Sequence, residues 1–246
     1  ALTATATLDV VDEIQKRLQF RKPNVFRMSF KRSNLIYAVN KTDDKIAEIT
    51  HILSSIEGCA IIYTNSRKKT RELSDELTRL GISSTYYHAG LDIAVKTKRQ
   101  QDWQNNIVRV IVATNAFGMG IDKPDVRIVI HADVPTSIEA YFQEAGRAGR
   151  DGGEGQCIAF YSYKDIQKLE KFMQNKPLAE QEIGKQLIND TIAYAESNVC
   201  RRKSLLNYFG ETYTADNCGN CDNCLNPKKL FEGKEFLCTV IELIKG

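Results

Sequence analysis

The sequence lacks any long apolar run. Within its 246 residues no hydrophobic stretch approaches the roughly 20 residues that a membrane-spanning helix needs, which excludes an integral membrane class. It also lacks an initiator Met and the basic segment that opens a secretory signal, so the start, ALTATATLDVV, is expected to be a cut inside a larger protein. Internal repeats and low-complexity tracts are missing too, which excludes solenoid and fibrous classes.

Neither sign of charge dominates the composition. The chain has 34 Lys and Arg against 31 Asp and Glu, a net charge of +3, which permits a polyanionic partner without requiring one. With 42% hydrophobic and 26% charged residues, it has the composition of a soluble protein with one large or two modest domains. Residues 1–33 carry a local excess of seven basic over three acidic side chains.

Four of the seven cysteines follow a metal-ligand spacing. They form the pattern C-x17-C-x2-C-x2-C at Cys200, Cys218, Cys221 and Cys224. Two-residue gaps let successive thiolates point at one ion, so the pattern predicts a structural Zn(II) site that leaves no position for substrate. Disulfides and an iron–sulfur cluster remain alternatives, because paired cysteines and closely spaced thiolates also suit them.

The middle of the chain alternates between two hydrophobic periods. Six β-branched runs predict strands: NLIYAV, CAIIYT, SSTYYH, VRVIVAT, VRIVIH and QCIAFYS. Helical spacing predicts helices over 7–20, 44–57 and 66–80, and over 163–199 with Pro177 separating two helices. Strands this apolar between helices predict an α/β fold with a mostly parallel sheet covered on both faces, followed by a small helical domain.

A glycine-bearing loop follows one of the predicted strands. The segment VATNAFGMGID places Gly118 and Gly120 after a buried run, at the carboxyl edge of a parallel sheet, where ligands bind. Thr114 and Asn115 offer short polar side chains to phosphate oxygens, and Asp122 offers a carboxylate to a ribose hydroxyl. We call residues 114–122 the glycine loop.

Two arginines lie in QEAGRAGRDG. The preceding TSIE predicts a capping box with Thr136 as the helix cap, and in that phase Gln143, Arg147 and Arg150 share one helix face. Such a pair is often only a solvated surface. Beside a glycine loop, however, its planar guanidinium groups suit an arginine finger, a residue that stabilises the charge on a transferring phosphoryl group.

Two further strand ends carry polar residues. Asn65 and Ser66 precede a predicted helix N-terminus, and His88 precedes Gly90. Alone, the first pair is equally consistent with an ordinary helix cap, and a lone histidine is more often a structural residue than a ligand contact. Three polar loops at one sheet edge can together follow a sugar-phosphate backbone without reading bases.

Taken together, these motifs resemble the RecQ family of DNA helicases over almost the whole chain. The resemblance is carried by ALTATAT, YTNSRK, YYHAGL, VATNAFGMGIDKPDVR, QEAGRAGRDG and the four-cysteine pattern with CRRKSLLNYFGE. It implies the tail of a first RecA-like motor domain over 1–33, a second RecA-like domain over 34–162, a helical zinc-binding domain over 163–234 and the start of a winged-helix domain over 235–246.

The resemblance also implies roles for individual residues. In the family, ATP and Mg(II) bind between two motor domains, so Arg150 resembles the finger and Arg147 its companion, with Gln143, Gly120 and Asp122 as nucleotide-site neighbours. The residues that resemble DNA contacts are Thr3, Thr5, Asn65, Ser66, Arg67, His88, Thr114 and Asn115. The implied activity is 3′ to 5′ unwinding of DNA in repair and recombination. The implied partner is DNA, both single-stranded and at duplex junctions, and the implied location is a bacterial cytoplasm or a nucleus.

Two motifs of such motors are missing from this sequence. Gly184-Lys185 is followed by Gln186, which excludes the phosphate-binding G-x-x-x-x-G-K-[ST] motif, and there is no DExH box. We therefore expect the chain to be inactive in ATP hydrolysis without a first motor domain from the same protein. Two alternatives remain: a non-catalytic, zinc-containing nucleic-acid-binding module and an iron–sulfur redox protein.

Overall fold

The structure, a computed structural model, describes residues 3, 5–118, 120–174, 176–229 and 232–245. Its strands are β1 Leu35–Asn40, β2 Cys59–Tyr63, β3 Ser84–Tyr87, β4 Val110–Ala113, β5 Val126–His131 and β6 Gly155–Phe160. Its helices are α1 Leu8–Arg17, α2 Lys45–Ser55, α3 Arg67–Arg79, α4 Ile93–Gln104, α5 Ile138–Ala145, α6 Tyr163–Met173, α7 Leu178–Glu196, α8 Arg201–Tyr208, α9 Asp222–Leu225 and α10 Lys234–Lys245.

The six strands form one sheet in the order β1-β6-β5-β2-β4-β3. Every pairing is parallel, which confirms the predicted sheet. All six strand predictions and the helices at 44–57 and 66–80 are confirmed within a few residues, and Pro177 lies between α6 and α7 as expected. No helix in the described ranges is both long enough and apolar enough to cross a membrane.

Alternate strand residues face two separate apolar layers. On one face, Ala60, Ile62 and Val112 pack with side chains of α2 and α3. On the other face, Ile61 and Ile111 pack in a cluster that includes side chains of α4, α5, α7 and α8. Strands buried on both faces explain why these runs are continuously apolar.

The helical region after β6 packs directly on the sheet. Leu205 of α8 and Phe209, which follows this helix, belong to the same apolar cluster as the strands. Arg202 donates from Nη2 to the carbonyl oxygen of Leu35 in β1, at 2.7 Å. The four-cysteine segment is therefore held against the edge of the sheet next to β1.

Helix α5 begins one residue later than the capping box predicts. Ser137, not Thr136, is the cap, and its side chain accepts from the amide of Ala140 at 3.1 Å. Glu139, the expected reciprocal partner, instead accepts the hydroxyl of Tyr208 at 2.6 Å. The prediction of Thr136 was wrong because two adjacent hydroxyl residues can both serve as caps, and the reciprocal bond expected of Glu139 is replaced by its contact with Tyr208.

A buried ion pair joins the cysteine segment to the rest of the fold. Arg201 donates from Nε to Asp222 Oδ1 at 2.9 Å and from Nη2 to Asp222 Oδ2 at 3.0 Å. Its Nη1 donates to the carbonyl of Tyr194 at the end of α7. Asp222 also accepts the amide of Val39 in β1 at 3.0 Å. One carboxylate thus connects the short helix α9 to α8 and to the edge strand.

Replacing Asp222 with Asn should destabilise the fold, because it leaves a guanidinium that is 4% exposed without its counter-charge. We expect urea unfolding of Asp222→Asn to give a free energy of unfolding lower by about 3 kcal/mol. The matched control is Glu13→Gln, which breaks an exposed pair with Arg17 and should change that free energy by less than about 1 kcal/mol. Equal losses in the two variants would contradict a buried role for Asp222.

Candidate functional site

Polar side chains from three strand ends meet at the carboxyl edge of the sheet. A cleft of about 360 Å³ opens there. Four of the predicted site residues line it: Asn65, Ser66, Thr114 and Asn115. Because parallel strands bring their carboxyl ends to one edge, residues separated by about 50 positions in sequence share this cleft.

Asn65 and Ser66 are already engaged within the protein. Asn65 donates its side-chain amide to the carbonyl of Val134 at 2.9 Å. The hydroxyl of Ser66 caps α3 by accepting the amide of Lys69 at 3.5 Å. By contrast, Thr114 is half-buried and Asn115 is exposed in the same cleft. The two loops therefore differ: the side chains of the first are hydrogen-bonded within the protein, whereas Thr114 and Asn115 line the open cleft.

Asp133 is a site residue that the sequence reasoning missed. It lies two residues after β5 and is 6% exposed. Its carboxylate accepts hydrogen bonds from the backbone amide of Asn65 at 3.0 Å and from the ammonium of Lys69 at 2.5 Å. The available signal was the same as at the other strand ends, because Asp133 is a polar residue that directly follows a buried apolar run. Asp133 fixes the position of the loop that follows β2.

A second buried pair connects β5 to α5. His131 Nε2 lies 2.8 Å from Glu144 Oε2, and the two side chains are 2% and 12% exposed. The ring of Tyr63 stacks on His131 with 5.3 Å between ring centroids. These three side chains join the ends of β2 and β5 to the helix that precedes the two arginines.

The two arginines lie in a turn and not on a helix face. Helix α5 ends at Ala145, and residues 146–150, here called the arginine turn, form consecutive turns. The prediction of a continuous helical face through Gln143, Arg147 and Arg150 was therefore wrong. Glycines at 146 and 149 end the helical repeat, because glycine disfavours helix interiors and Gly149 has a φ of +54°.

Arg147 holds the glycine loop. Its side chain is buried and donates from Nη1 to the carbonyl of Gly118 at 2.7 Å. A β-carbon at Gly118 would lie 2.1 Å from Arg147 Nη2, so a larger residue there would displace this guanidinium. Tyr63 supports the adjacent residue by donating its hydroxyl to the carbonyl of Phe117 at 2.9 Å. Burial raises the pKa of Tyr63, so the hydroxyl stays protonated as a donor.

Arg150 is accessible, unlike Arg147. Its side chain is 36% exposed, and Nη1 lies 3.6 Å from Asp122 Oδ1. The same nitrogen donates to the carbonyl of Ile121 at 2.9 Å. Asp122 is 90% exposed, and Gly120 and Gln143 are exposed as well. A guanidinium this exposed can contact an anion brought to this surface.

The remaining predicted site residues lie outside the cleft. Arg67 and His88 line a separate open groove of about 610 Å³. Burial lowers the pKa of His88, and the nearby charges of Arg67 and Arg99 lower it further, so His88 is neutral at physiological pH. Thr3 is exposed and Thr5 half-buried, and neither belongs to the lining of the cleft or of this groove.

The four predicted metal ligands converge. The sulfur atoms of Cys200, Cys218, Cys221 and Cys224 all lie within 4.8 Å of one another. A tetrahedral ion with metal–sulfur bonds of about 2.3 Å places its sulfurs roughly 3.8 Å apart. Cys218 and Cys224 are 3.9 Å apart, too far for a disulfide bond of about 2.05 Å. The donor set therefore fits a single metal ion with four thiolate ligands.

Backbone amides support two of the four sulfurs. The amide of Arg201 donates to Cys221 Sγ at 3.4 Å, and the amide of Cys218 donates to Cys224 Sγ at 3.4 Å. Such donors stabilise negative charge on a thiolate. Since Cys200 and Cys221 are buried, the cluster has the character of a structural site.

Two family models match the chain. The helicase conserved C-terminal domain matches residues 44–152, which hold the glycine loop and the arginine turn. The RecQ zinc-binding domain matches residues 163–225, which hold the four cysteines. Each match covers a region already distinguished by its own structure.

Curated relatives resemble nearly the whole chain. The ATP-dependent DNA helicase RecQ of Haemophilus influenzae is 40% identical over 95% of this chain. The ATP-dependent helicase SGS1 of Saccharomyces cerevisiae is 42% identical over 92%, and the ATP-dependent DNA helicase Q1 of Mus musculus is 38% identical over 99%. The chain spans only 38%, 16% and 38% of the lengths of these relatives.

A solved structure supports the fold. Dbp5 of S. cerevisiae, bound to RNA and ADP BeF3, superposes with a TM-score of 0.58 over 76% of this chain and 54% of its own, at 20% identity. That likeness concerns the arrangement of sheet and helices alone. The two family matches, the relatives at about 40% identity and the cysteine cluster identify the chain as a member of the RecQ helicase family that contains a helicase conserved C-terminal domain and a RecQ zinc-binding domain.

Proposed function

We propose that the full-length protein is an ATP-dependent DNA helicase in which residues 34–162 form the second motor domain and residues 163–234 the zinc-binding domain. Relatives named as ATP-dependent helicases are 38–42% identical over more than nine tenths of the chain. The observation that carries the proposal is Arg150, an exposed guanidinium beside Asp122 on a turn that is tied to the glycine loop.

Arg150 acts as the arginine finger in this proposal. A first motor domain of the same protein, with residues 1–33 as its tail, supplies the lysine and acids that hold ATP and Mg(II). Arg150 then stabilises the charge that develops on the transferring phosphoryl group. Gly120, Asp122 and Gln143 border the same surface. Arg147 serves as a companion that orients the glycine loop, because its guanidinium is committed to Gly118.

The carboxyl edge of the sheet binds the DNA backbone. Thr114 and Asn115 contact phosphate and sugar from the cleft, and Asn65 and Ser66 contribute mainly through the loop that they rigidify. Arg67 and the neutral His88 extend the contact along the adjacent groove, and Thr3 and Thr5 extend it toward the first motor domain. Contacts of this kind do not read bases, which suits a motor that moves 3′ to 5′ along any sequence.

The four cysteines hold Zn(II). Cys200, Cys218, Cys221 and Cys224 supply four thiolates, and the bound ion stabilises a segment of short helices with few apolar side chains. The site has no position for substrate. Its contribution to the helicase is therefore to support α8, whose side chains pack under the motor domain.

Arg150→Ala in the full-length protein should abolish DNA-stimulated ATP hydrolysis while leaving ATP affinity within a few-fold. Removing an arginine finger costs about 10³-fold or more in kcat, because its contact forms in the transition state. The matched control is Arg79→Ala at the exposed end of α3, which should keep full turnover. Lost ATP binding with normal turnover of the remaining complex would contradict the assignment.

Arg67→Ala should weaken binding of single-stranded DNA and make it less sensitive to salt. One lost phosphate contact lowers the slope of log affinity against log salt by about 0.7, which fluorescence anisotropy at several salt concentrations measures. Arg79→Ala removes an arginine from the opposite end of the same helix and serves as the control. An unchanged slope for Arg67→Ala would remove this residue from the DNA contact.

Cys221→Ser should lose bound zinc and the helical domain together. We expect about one zinc per chain in the parent protein by atomic emission, none in the variant, and a lower unfolding temperature. Cys238→Ser, which changes an exposed cysteine outside the cluster, should keep both properties. A brown protein with iron and visible absorbance would favour the iron–sulfur alternative, and a stable, zinc-replete Cys221→Ser would disprove the site.

A further inference from the structure

The connector before β1 contacts the arginine turn directly. Arg32 lies in the extended segment between α1 and β1 and is half-buried. Its Nη2 donates to the carbonyl oxygens of Ala148 at 3.0 Å and Gly149 at 2.9 Å, and its Nη1 donates to that of Gly146 at 3.3 Å. One guanidinium thus bonds to three of the five carbonyls of the turn that carries Arg150.

These carbonyls need a donor because of where they lie. They follow the end of α5 at Ala145, in a turn where no regular helix or strand ladder supplies donors to backbone carbonyls. A cation at a helix C-terminus is also favoured by the helix dipole. Arg32 supplies both the donors and the positive charge, although it lies 114 or more residues away in sequence.

Asn34 completes the attachment. Its side-chain amide donates to the carbonyls of Gly149 at 2.8 Å and Gly153 at 2.6 Å. The amide of Gly149 in turn donates to the carbonyl of Val126, at the start of β5, at 2.8 Å. A β-carbon at Gly149 would lie 2.5 Å from Asn34 Nδ2 and 2.4 Å from the carbonyl oxygen of Gly153. The residue immediately before Arg150 is therefore fixed on all sides.

We infer that Arg32, assisted by Asn34, is a positioning residue for Arg150. This inference rests on the proposed role of Arg150 in ATP hydrolysis. Arg32 does not touch nucleotide; it sets the backbone of the arginine turn and hence the direction in which the Arg150 side chain leaves it. Because Arg32 belongs to the connector that leads from α1 to the sheet, the turn is held by the same segment that links the two motor domains.

The position of a catalytic group affects turnover more than substrate binding. An error of about 1 Å in placement can cost about 100-fold in rate. Losing a contact that is made only in the transition state lowers kcat without raising the KM. Loss of Arg32 should therefore lower kcat and leave the KM for ATP nearly unchanged.

The test uses the full-length protein and measures DNA-stimulated ATP hydrolysis at varied ATP. Arg32→Ala should lower kcat by about 10- to 100-fold, with the KM for ATP and the affinity for DNA within twofold of the parent. Arg32→Lys keeps the charge but can satisfy fewer carbonyls, so its kcat should lie between that of Arg32→Ala and that of the parent. The matched control is Arg27→Ala. Arg27 lies in the same connector, but its guanidinium donates to the carbonyl of Phe209 and not to the arginine turn. The kcat of this variant should stay within twofold of the parent.

A double variant separates positioning from any other role. If Arg32 acts only through Arg150, then Arg32→Ala combined with Arg150→Ala should turn over at the rate of Arg150→Ala alone. An undiminished kcat in Arg32→Ala, or a further loss of the full factor in the Arg150→Ala background, would overturn the inference. Full turnover by Arg150→Ala would instead refute the finger itself, and the positioning role with it.

Asn34→Ala provides an independent variant in case Arg32→Ala does not fold. It removes the side-chain hydrogen bonds to the carbonyls of Gly149 and Gly153 and leaves the guanidinium of Arg32 unchanged. We expect a smaller loss of kcat with an unchanged KM, and thermal unfolding identifies any variant whose loss reflects instability. Parent-like kcat in a folded Asn34→Ala and in a folded Arg32→Lys would together count against positioning through this turn.

Discussion

The structure depends on arginine side chains that donate to backbone carbonyls where helices and strands end. A parallel sheet needs a crossover between every pair of strands, and each crossover leaves carbonyls that the regular elements do not satisfy. Unsatisfied carbonyls in a buried setting cost free energy. Arg109 bonds to the carbonyls of Leu53 and Ile56, and Arg147 and Arg32 do the same for the glycine loop and the arginine turn.

This constraint explains the glycines of the site. At Gly118 a β-carbon would collide with the guanidinium of Arg147, and at Gly149 with the amide of Asn34. The glycines thus allow donors to approach the backbone, and the cost of placing glycine near a helix end is offset by the hydrogen bonds that it permits. The sequence pattern G-R-A-G-R then describes a backbone turn held from both sides, from which one arginine projects.

The sheet could be predicted from the sequence because its cause is local. Strands buried on both faces read as continuous apolar runs, and the helices between them show a clear 3.6-residue period. The convergence of the four cysteines followed from their spacing, and the meeting of Asn65 with Thr114 at one edge followed from the parallel topology.

What could not be predicted depends on contacts between distant residues. Ser137 is the cap in place of Thr136, and Glu139 pairs with Tyr208, 69 positions away. Arg32 meets the arginine turn across more than 110 positions, with no local signal in either segment. Asp133 and His131 escaped notice because a lone polar residue after a strand has many ordinary explanations. Sequence patterns proposed which residues carry chemistry but did not predict which side chains hold those residues in place.

The strand order has a consequence for synthesis. Strand β1 lies at one edge of the sheet and pairs with β6, so residues 35–40 must wait for residues 155–160 to leave the ribosome. At 5–20 residues per second this interval is on the order of ten seconds. During it, the nascent chain exposes an unpaired apolar strand, which is the kind of segment that chaperones cover. The edge of the sheet next to the cysteine cluster is thus the last part of the sheet to form.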